Sequence, residues 1–198
     1  MTAPPGPPGP DGYTLWAGTV GFTSPLAERF AAAAATGCRE ATLSPPDVLR
    51  AAGFGARVHL EFIPFTIVRT LRIAWDLVRA ADRPNGGLVF DTWHFFRGEP
   101  DFEVLAGIPG DRIFQVQLDD APAVPSGPLR EETQRRLLPG DGALDLVAAI
   151  RALDRIGGLR RVGPEVISPD LAALPILDAA TLAMDRTRAI VAAALADR

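Results

Sequence analysis

Four polar side chains stand at the ends of short apolar runs: Glu61 in VHLEF, Asp91 in LVFDTW, Gln117 in FQVQLDD and Glu165 in RVGPEV. Side chains in a strand alternate between two faces. Val58, Leu60 and Phe62 therefore share one face, and His59 and Glu61 the other. By the same rule Asp91 falls in line with Val89, Gln117 with Gln115, and Glu165 with Gly163, whose missing side chain leaves room beneath it. If these strands lie side by side, three carboxylates and one amide converge at a single mouth. Carboxylates crowded in a low dielectric repel one another and take up protons unless a cation neutralises them. A divalent metal held by Glu61, Asp91, Gln117 and Glu165 answers that need, and an all-oxygen ligand set favours Mg²⁺ or Mn²⁺. Any one of the four taken singly reads better as a strand-end group bonded to a loop; four on successive strands point to a shared task.

The elements that must position these groups follow an alternating pattern. Past residue 12, short β-branched or aromatic runs alternate with Ala/Leu/Arg-rich helical stretches, the signature of βα units around a parallel sheet. Six units are predicted, with strands at 13–20, 40–43, 57–62, 87–93, 113–118 and 161–167. Helices are predicted from Ser24-Pro25 to Gly37 and over 47–52, 67–81, 102–106, 143–156 and 179–196. Over 67–81, Ile67, Leu71, Ala74, Trp75 and Val78 share one helical face. A polar loop of about twenty residues separates the fifth strand from its helix, a length that is usually functional. The first dozen residues, MTAPPGPPGPDG, read as a disordered Pro/Gly tail, leaving 13–198 as one domain.

Composition removes several functions. The 198 residues carry 20 basic and 24 acidic side chains, a formal net charge of -4, with no basic stripe of the kind that nucleic acid needs. Every basic residue is Arg, so neither a Schiff-base lysine nor a P-loop lysine exists, whereas Arg recognition of a carboxylate or phosphate stays open. The single cysteine, Cys38, allows no intrachain disulfide and no CxxC motif. With no basic leader and no apolar run of about 18 residues, a cytoplasmic protein without a membrane span is expected.

Taken in order, VHLEF, VFDTWHF, VQLDDA, RLLPGDG and GPEV resemble the xylose isomerase-like TIM barrels, the sugar phosphate isomerases/epimerases. The resemblance covers about residues 13 to 195 and is most specific over 57–168. It implies an α/β TIM-barrel-like fold and a metal site on Glu61, Asp91, Gln117 and Glu165. Many members have His where Gln117 stands; a branch that resembles 3-dehydroshikimate dehydratase has Gln. The resemblance further implies that Glu61 and Glu165 move a proton beside a substrate carbonyl, and that His94 and Arg136 contact substrate, with Arg97 a weaker candidate for the same task. The implied substrate is a small keto sugar or cyclic hydroxy acid, and the reaction an epimerisation or a dehydration. His59, one layer deeper, reads as a core histidine, and Trp16, Phe62, Trp93 and Phe95 read as core aromatics, with walling a pocket the second reading.

The barrel this resemblance implies has eight units in about 250 residues, and six are found here. Only twelve residues separate Ser44 from Arg57, too few for two βα units at about 30 residues each. The expectation is an incomplete barrel that lacks the family's third and fourth strands. Its exposed edges would either close into a smaller barrel or pair with another chain, giving a homo-oligomer. Three readings stay open: a working isomerase or lyase, an inactive protein that keeps the metal cluster, and a nonenzymatic module.

Overall fold

The computed structural model describes residues 14–15, 40–41 and 57–196. The chain forms two compact units, Met1–Val58 and His59–Arg198. In the first, β1 (Thr14–Leu15) and β2 (Glu40–Ala41) pair in parallel, Thr14 opposite Glu40 and Leu15 opposite Ala41. The predicted tail, the helices at 24–37 and 47–52, Trp16, Cys38 and the short 44–57 connection fall wholly or mostly outside the described residues.

The second unit is built on four strands in sequential order: β3 (Val58–Glu61), β4 (Gly86–Asp91), β5 (Ile113–Leu118) and β6 (Val162–Pro164). β4 pairs with β5 and β5 with β6, both in parallel. The register sets Asp91 opposite Gln117 and Gln117 opposite Gly163. The helices are α1 (Leu71–Ala81), α2 (Thr92–Arg97), α3 (Phe102–Ala106), α4 (Leu129–Glu132), α5 (Leu146–Arg155), α6 (Pro169–Ala172) and α7 (Ile176–Leu195). The six strands among the described residues overlap the six predicted strands, the first two as two-residue segments.

Amphipathic spacing fixes the packing. α1 buries Leu71, Ala74 and Val78, and α5 buries Leu146, Ala149, Ile150 and Leu153, each a stripe at three- and four-residue intervals. These stripes join Leu88, Phe90, Val116 and Leu118 of the sheet in one core. Phe62, Trp93 and Phe95 are core aromatics as predicted. Ile67 departs from expectation: it is 91% exposed, because the chain first closes a turn, Ile63 N donating to Val68 O at 2.8 Å, and the helix begins only after Thr70. The Thr70 hydroxyl accepts from Ile73 N and caps α1.

The long polar loop between β5 and α5 is held at two points. Asp120 accepts the backbone N–H groups of Ala121 and Leu144 on Oδ1, and those of Gly140 and Gly142 on Oδ2, all within 2.8–3.1 Å. Gly142 is required at this contact, since a Cβ there would stand 2.3 Å from Asp120 Oδ1. Glu132, buried at the end of α4, accepts from Arg97 Nε at 2.5 Å and Trp93 Nε1 at 3.2 Å on Oε1, and from Ser126 N at 2.8 Å on Oε2. The two anchors fix residues 120–144 over the carboxyl end of the sheet.

Replacing Asp120 with Asn turns donors toward donors and should lower the unfolding free energy in urea by about 1–3 kcal/mol. An unchanged midpoint would show that the loop holds without this carboxylate. Glu132→Gln strands the buried Arg97 cation and should cost about 3 kcal/mol in the same measurement; a loss under about 0.5 kcal/mol, the level of an exposed pair, would contradict its role as an anchor.

Candidate active site

Each functional side chain at the mouth is placed by a local device. Asp91 ends β4 and caps α2: its Oδ1 accepts from His94 N at 2.8 Å, which puts the imidazole one turn away on the same side. Glu61 is the last residue of β3. Glu165 follows β6 directly, with its N–H donating to Leu118 O at 3.1 Å. Gly163, not Glu165, lies level with Gln117 in the register, and no described atom lies within 4 Å of where its Cβ would stand. Glu165 thus projects from one row above an open floor.

Glu61, Asp91, His94 and Glu165 each offer a ligand atom, and these atoms lie within 4.8 Å of one another. Gln117 stands beside Asp91 in the sheet, and its Oε1 is buried without a hydrogen-bond partner among the described residues. His94 Nε2 is 3.4 Å from Glu61 Oε1 and 3.3 Å from Arg136 Nη2. It cannot donate to the first and accept from the second at once, while Nδ1 is buried without a hydrogen-bond partner among the described residues.

Arg136 fills the centre. Its Nη1 contacts Asp91 Oδ2 at 2.8 Å, Asp119 Oδ2 at 2.5 Å, Glu165 Oε2 at 3.1 Å and Glu165 O at 3.2 Å. Nε and Nη2 both donate to Thr133 Oγ1, at 3.3 and 3.0 Å, and the guanidinium lies 5.3 Å from the centre of the Trp93 ring. With 3% of its surface exposed, Arg136 faces the carboxylates, not the solvent. Arg97 does not join the cluster: it is spent on Glu132 and on Pro122 O, 2.6 Å from Nη2. His59 packs edge-on against Phe114 and is half-buried, not enclosed in the core as its spacing suggested.

Asp119 is the important member that the sequence patterns did not single out. Its Oδ1 accepts from Thr92 Oγ1 at 2.6 Å and Trp93 N at 2.7 Å, so β5 is tied to the start of α2. Following the alternation of β5 two residues beyond Gln117 would have found it. Glu132 and Thr133 have no such signal, because they end and cap the four-residue helix α4, which is too short to show a periodic pattern.

The electrostatics follow from this crowding. Burial pushes the Asp91 carboxyl up, but the Arg136 guanidinium and the His94 ring outweigh it and hold Asp91 below the usual range. Burial, reinforced by the Asp91 charge, pushes Asp119 well above that range, against the pull of Arg136. Burial and the charges of Asp91 and Glu61 likewise push Glu165 well up. Arg136 is raised above its ordinary value: burial opposes its charge, and Asp91, Asp119 and Glu165 more than compensate. One guanidinium does not neutralise four carboxylates. The donor set of carboxylate oxygens, an imidazole and an unpartnered amide oxygen therefore fits a divalent cation.

Comparison with known proteins supports this reading of the fold. The chain is 36% identical to inosose isomerase of Bacillus velezensis over 140 residues, 70% of this chain and 49% of that protein. It is 35% identical to 3-dehydroshikimate dehydratase of Pseudomonas aeruginosa over 127 residues, 64% of this chain and 20% of that protein. The chain spans about half the length of the inosose isomerase it matches. A crystal structure of the IolI protein with a zinc atom superposes with a TM-score of 0.67 at 31% identity, covering 73% of this chain and 52% of that one. The parallel strands, the helices between them and the family pattern matched over residues 28–189 lead to one conclusion: the chain is an α/β, TIM-barrel-like protein that belongs to the xylose isomerase-like TIM barrel family.

Proposed function

We propose that the protein is a divalent-metal-dependent isomerase or epimerase that moves a proton beside the carbonyl of a small polyhydroxylated substrate. The observation that carries this reading is the convergence of Glu61, Asp91, His94 and Glu165 within 4.8 Å, beside an unpartnered Gln117 oxygen. The relatedness to inosose isomerase supports the reaction class. Glu61, Asp91 and Glu165, with Gln117 or His94 as the fourth donor, are the residues to hold the ion. The imidazole extends the Mg²⁺ or Mn²⁺ preference toward Zn²⁺. When bound, a divalent ion polarises the substrate oxygens and acidifies the adjacent C–H.

The chain's own groups do the remaining work. Glu61 and Glu165 come from opposite edges of the four-stranded sheet, so a substrate lying over the mouth meets one carboxylate from each side. Glu165, directly after β6, and Glu61, at the end of β3 and partly open to solvent, are the carboxylates placed to take and return the substrate proton. His94 and Arg136 line the same point and would orient substrate hydroxyls; Arg97 enters this reading only through Glu132, by holding Trp93 in place. Proton return on the opposite face gives epimerisation. If the abstracted proton is instead passed to a β-hydroxyl, that group leaves as water and a C=C bond forms, a dehydration; the similarity to 3-dehydroshikimate dehydratase favours this second reading. A cytoplasmic setting belongs to the same proposal, and the single cysteine, Cys38, is in keeping with it.

Calorimetric titration should show one tight site for Mn²⁺ or Zn²⁺ that Asp91→Ala weakens by at least about 100-fold, as loss of a direct ligand does; no heat with either ion at millimolar concentration would remove the metal reading. Glu165→Gln should slow exchange of the substrate C–H proton with deuterated water by about 10²–10⁴-fold. Unchanged exchange would assign the proton to another group. Trials with inosose and 3-dehydroshikimate separate isomerisation from dehydration by product.

A further inference from the structure

Arg136 holds a place that a resident cation would be expected to hold. An Nη1 nitrogen carries two hydrogens, yet four acceptors lie within 3.2 Å of it, on Asp91, Asp119 and Glu165. More acceptors than hydrogens means that the nitrogen is held as a charge at the focus of three carboxylates rather than by directed bonds alone. Two of those carboxylates, Asp91 and Glu165, belong to the group that converges as candidate metal ligands; the third, Asp119, does not. Nε and Nη2 rest on Thr133 Oγ1, which is outside that group as well.

We infer that Arg136 is a built-in counter-cation that a divalent ion displaces from Asp91 and Glu165, leaving the guanidinium seated on Asp119 and Thr133. This inference rests on the metal-dependent reading of the site. Without an ion, Arg136 keeps the three carboxylates it contacts, Asp91, Asp119 and Glu165, from driving the mouth apart. When an ion arrives, two charges can no longer share the same oxygens, and Nη1 gives up its contacts to Asp91 and Glu165. The N–H groups so released face the mouth, where a substrate oxygen can take them. The exchange therefore links ion loading to the presentation of the arginine that the family resemblance assigns to substrate contact, so that ion precedes substrate. The affinity for the ion is set partly by the ligands and partly by the cost of moving Arg136.

The test is calorimetric titration of the full chain with MnCl₂ alone, for the unaltered protein, Arg136→Gln and Arg136→Lys, with circular dichroism to establish folding. Arg136→Gln should bind Mn²⁺ about tenfold tighter or more, because the competing charge is gone, and Arg136→Lys, which keeps a charge but loses the fork, should fall between. If Arg136→Gln does not fold, Arg136→Lys decides the matter alone, and should bind Mn²⁺ a few-fold tighter than the unaltered protein because its charge no longer spans the carboxylates as a fork. Mn²⁺ binding to the unaltered protein with unchanged or weaker affinity in the folded variants overturns the counter-cation role and leaves the metal reading intact. No Mn²⁺ binding by any form overturns both.

Discussion

A guanidinium buried among carboxylates is costly to assemble, since each charge must leave water and is repaid only if its partners are in place. At the mouth of this sheet one such cation, Arg136, faces Asp91, Asp119 and Glu165, with Glu61 close behind. The surrounding chain is organised to meet that demand. Asp120 gathers four backbone N–H groups so that the loop carrying Arg136 turns back over the strands, and Arg136 N donates to Ile167 O, joining that loop to the segment after Glu165. Glu132 ties the same loop to Trp93, on whose ring the guanidinium rests.

The local chemistry makes single residues serve several levels at once. Asp91 closes a strand, caps the following helix, orients His94 and binds Arg136. Asp119 closes the next strand and receives Thr92 Oγ1 and Trp93 N, so the β4–α2 turn and the end of β5 move together. A strand-to-helix turn built this way presents rigid carboxylates at the carboxyl end of a parallel sheet, the position at which TIM barrels carry their chemistry. The half-length match to inosose isomerase leaves the reaction a proposal, while the pattern match across residues 28–189 settles the family.

Much of this was legible in the residues because strands have a period of two. Alternation alone picked out Glu61, Asp91, Gln117 and Glu165, and β5 was found at its observed limits, 113–118. Alternation says which face a side chain takes but not its height: Gly163 proved to be the row-mate of Gln117, with Glu165 above it. Helical periodicity extended α1 back to Ile67, because spacing does not reveal that Thr70 is the better cap. Arg97 and Arg136 look alike as loop arginines, and only tertiary packing sends one to Glu132 and the other to the carboxylate cluster. Asp119 lay one step beyond the apolar run that defined its strand, and Glu132 had no periodic context at all.

The central claim is that the mouth of the sheet is a cation site whose ligands are Glu61, Asp91, Glu165 and one of Gln117 or His94. Anomalous X-ray diffraction at the manganese edge from crystals soaked in Mn²⁺ tests it most directly. The account predicts one strong peak among those side chains, at about 2.0–2.3 Å from their oxygens. A peak elsewhere, or none while Arg136 keeps its contacts to Asp91 and Glu165 at saturating Mn²⁺, would contradict it.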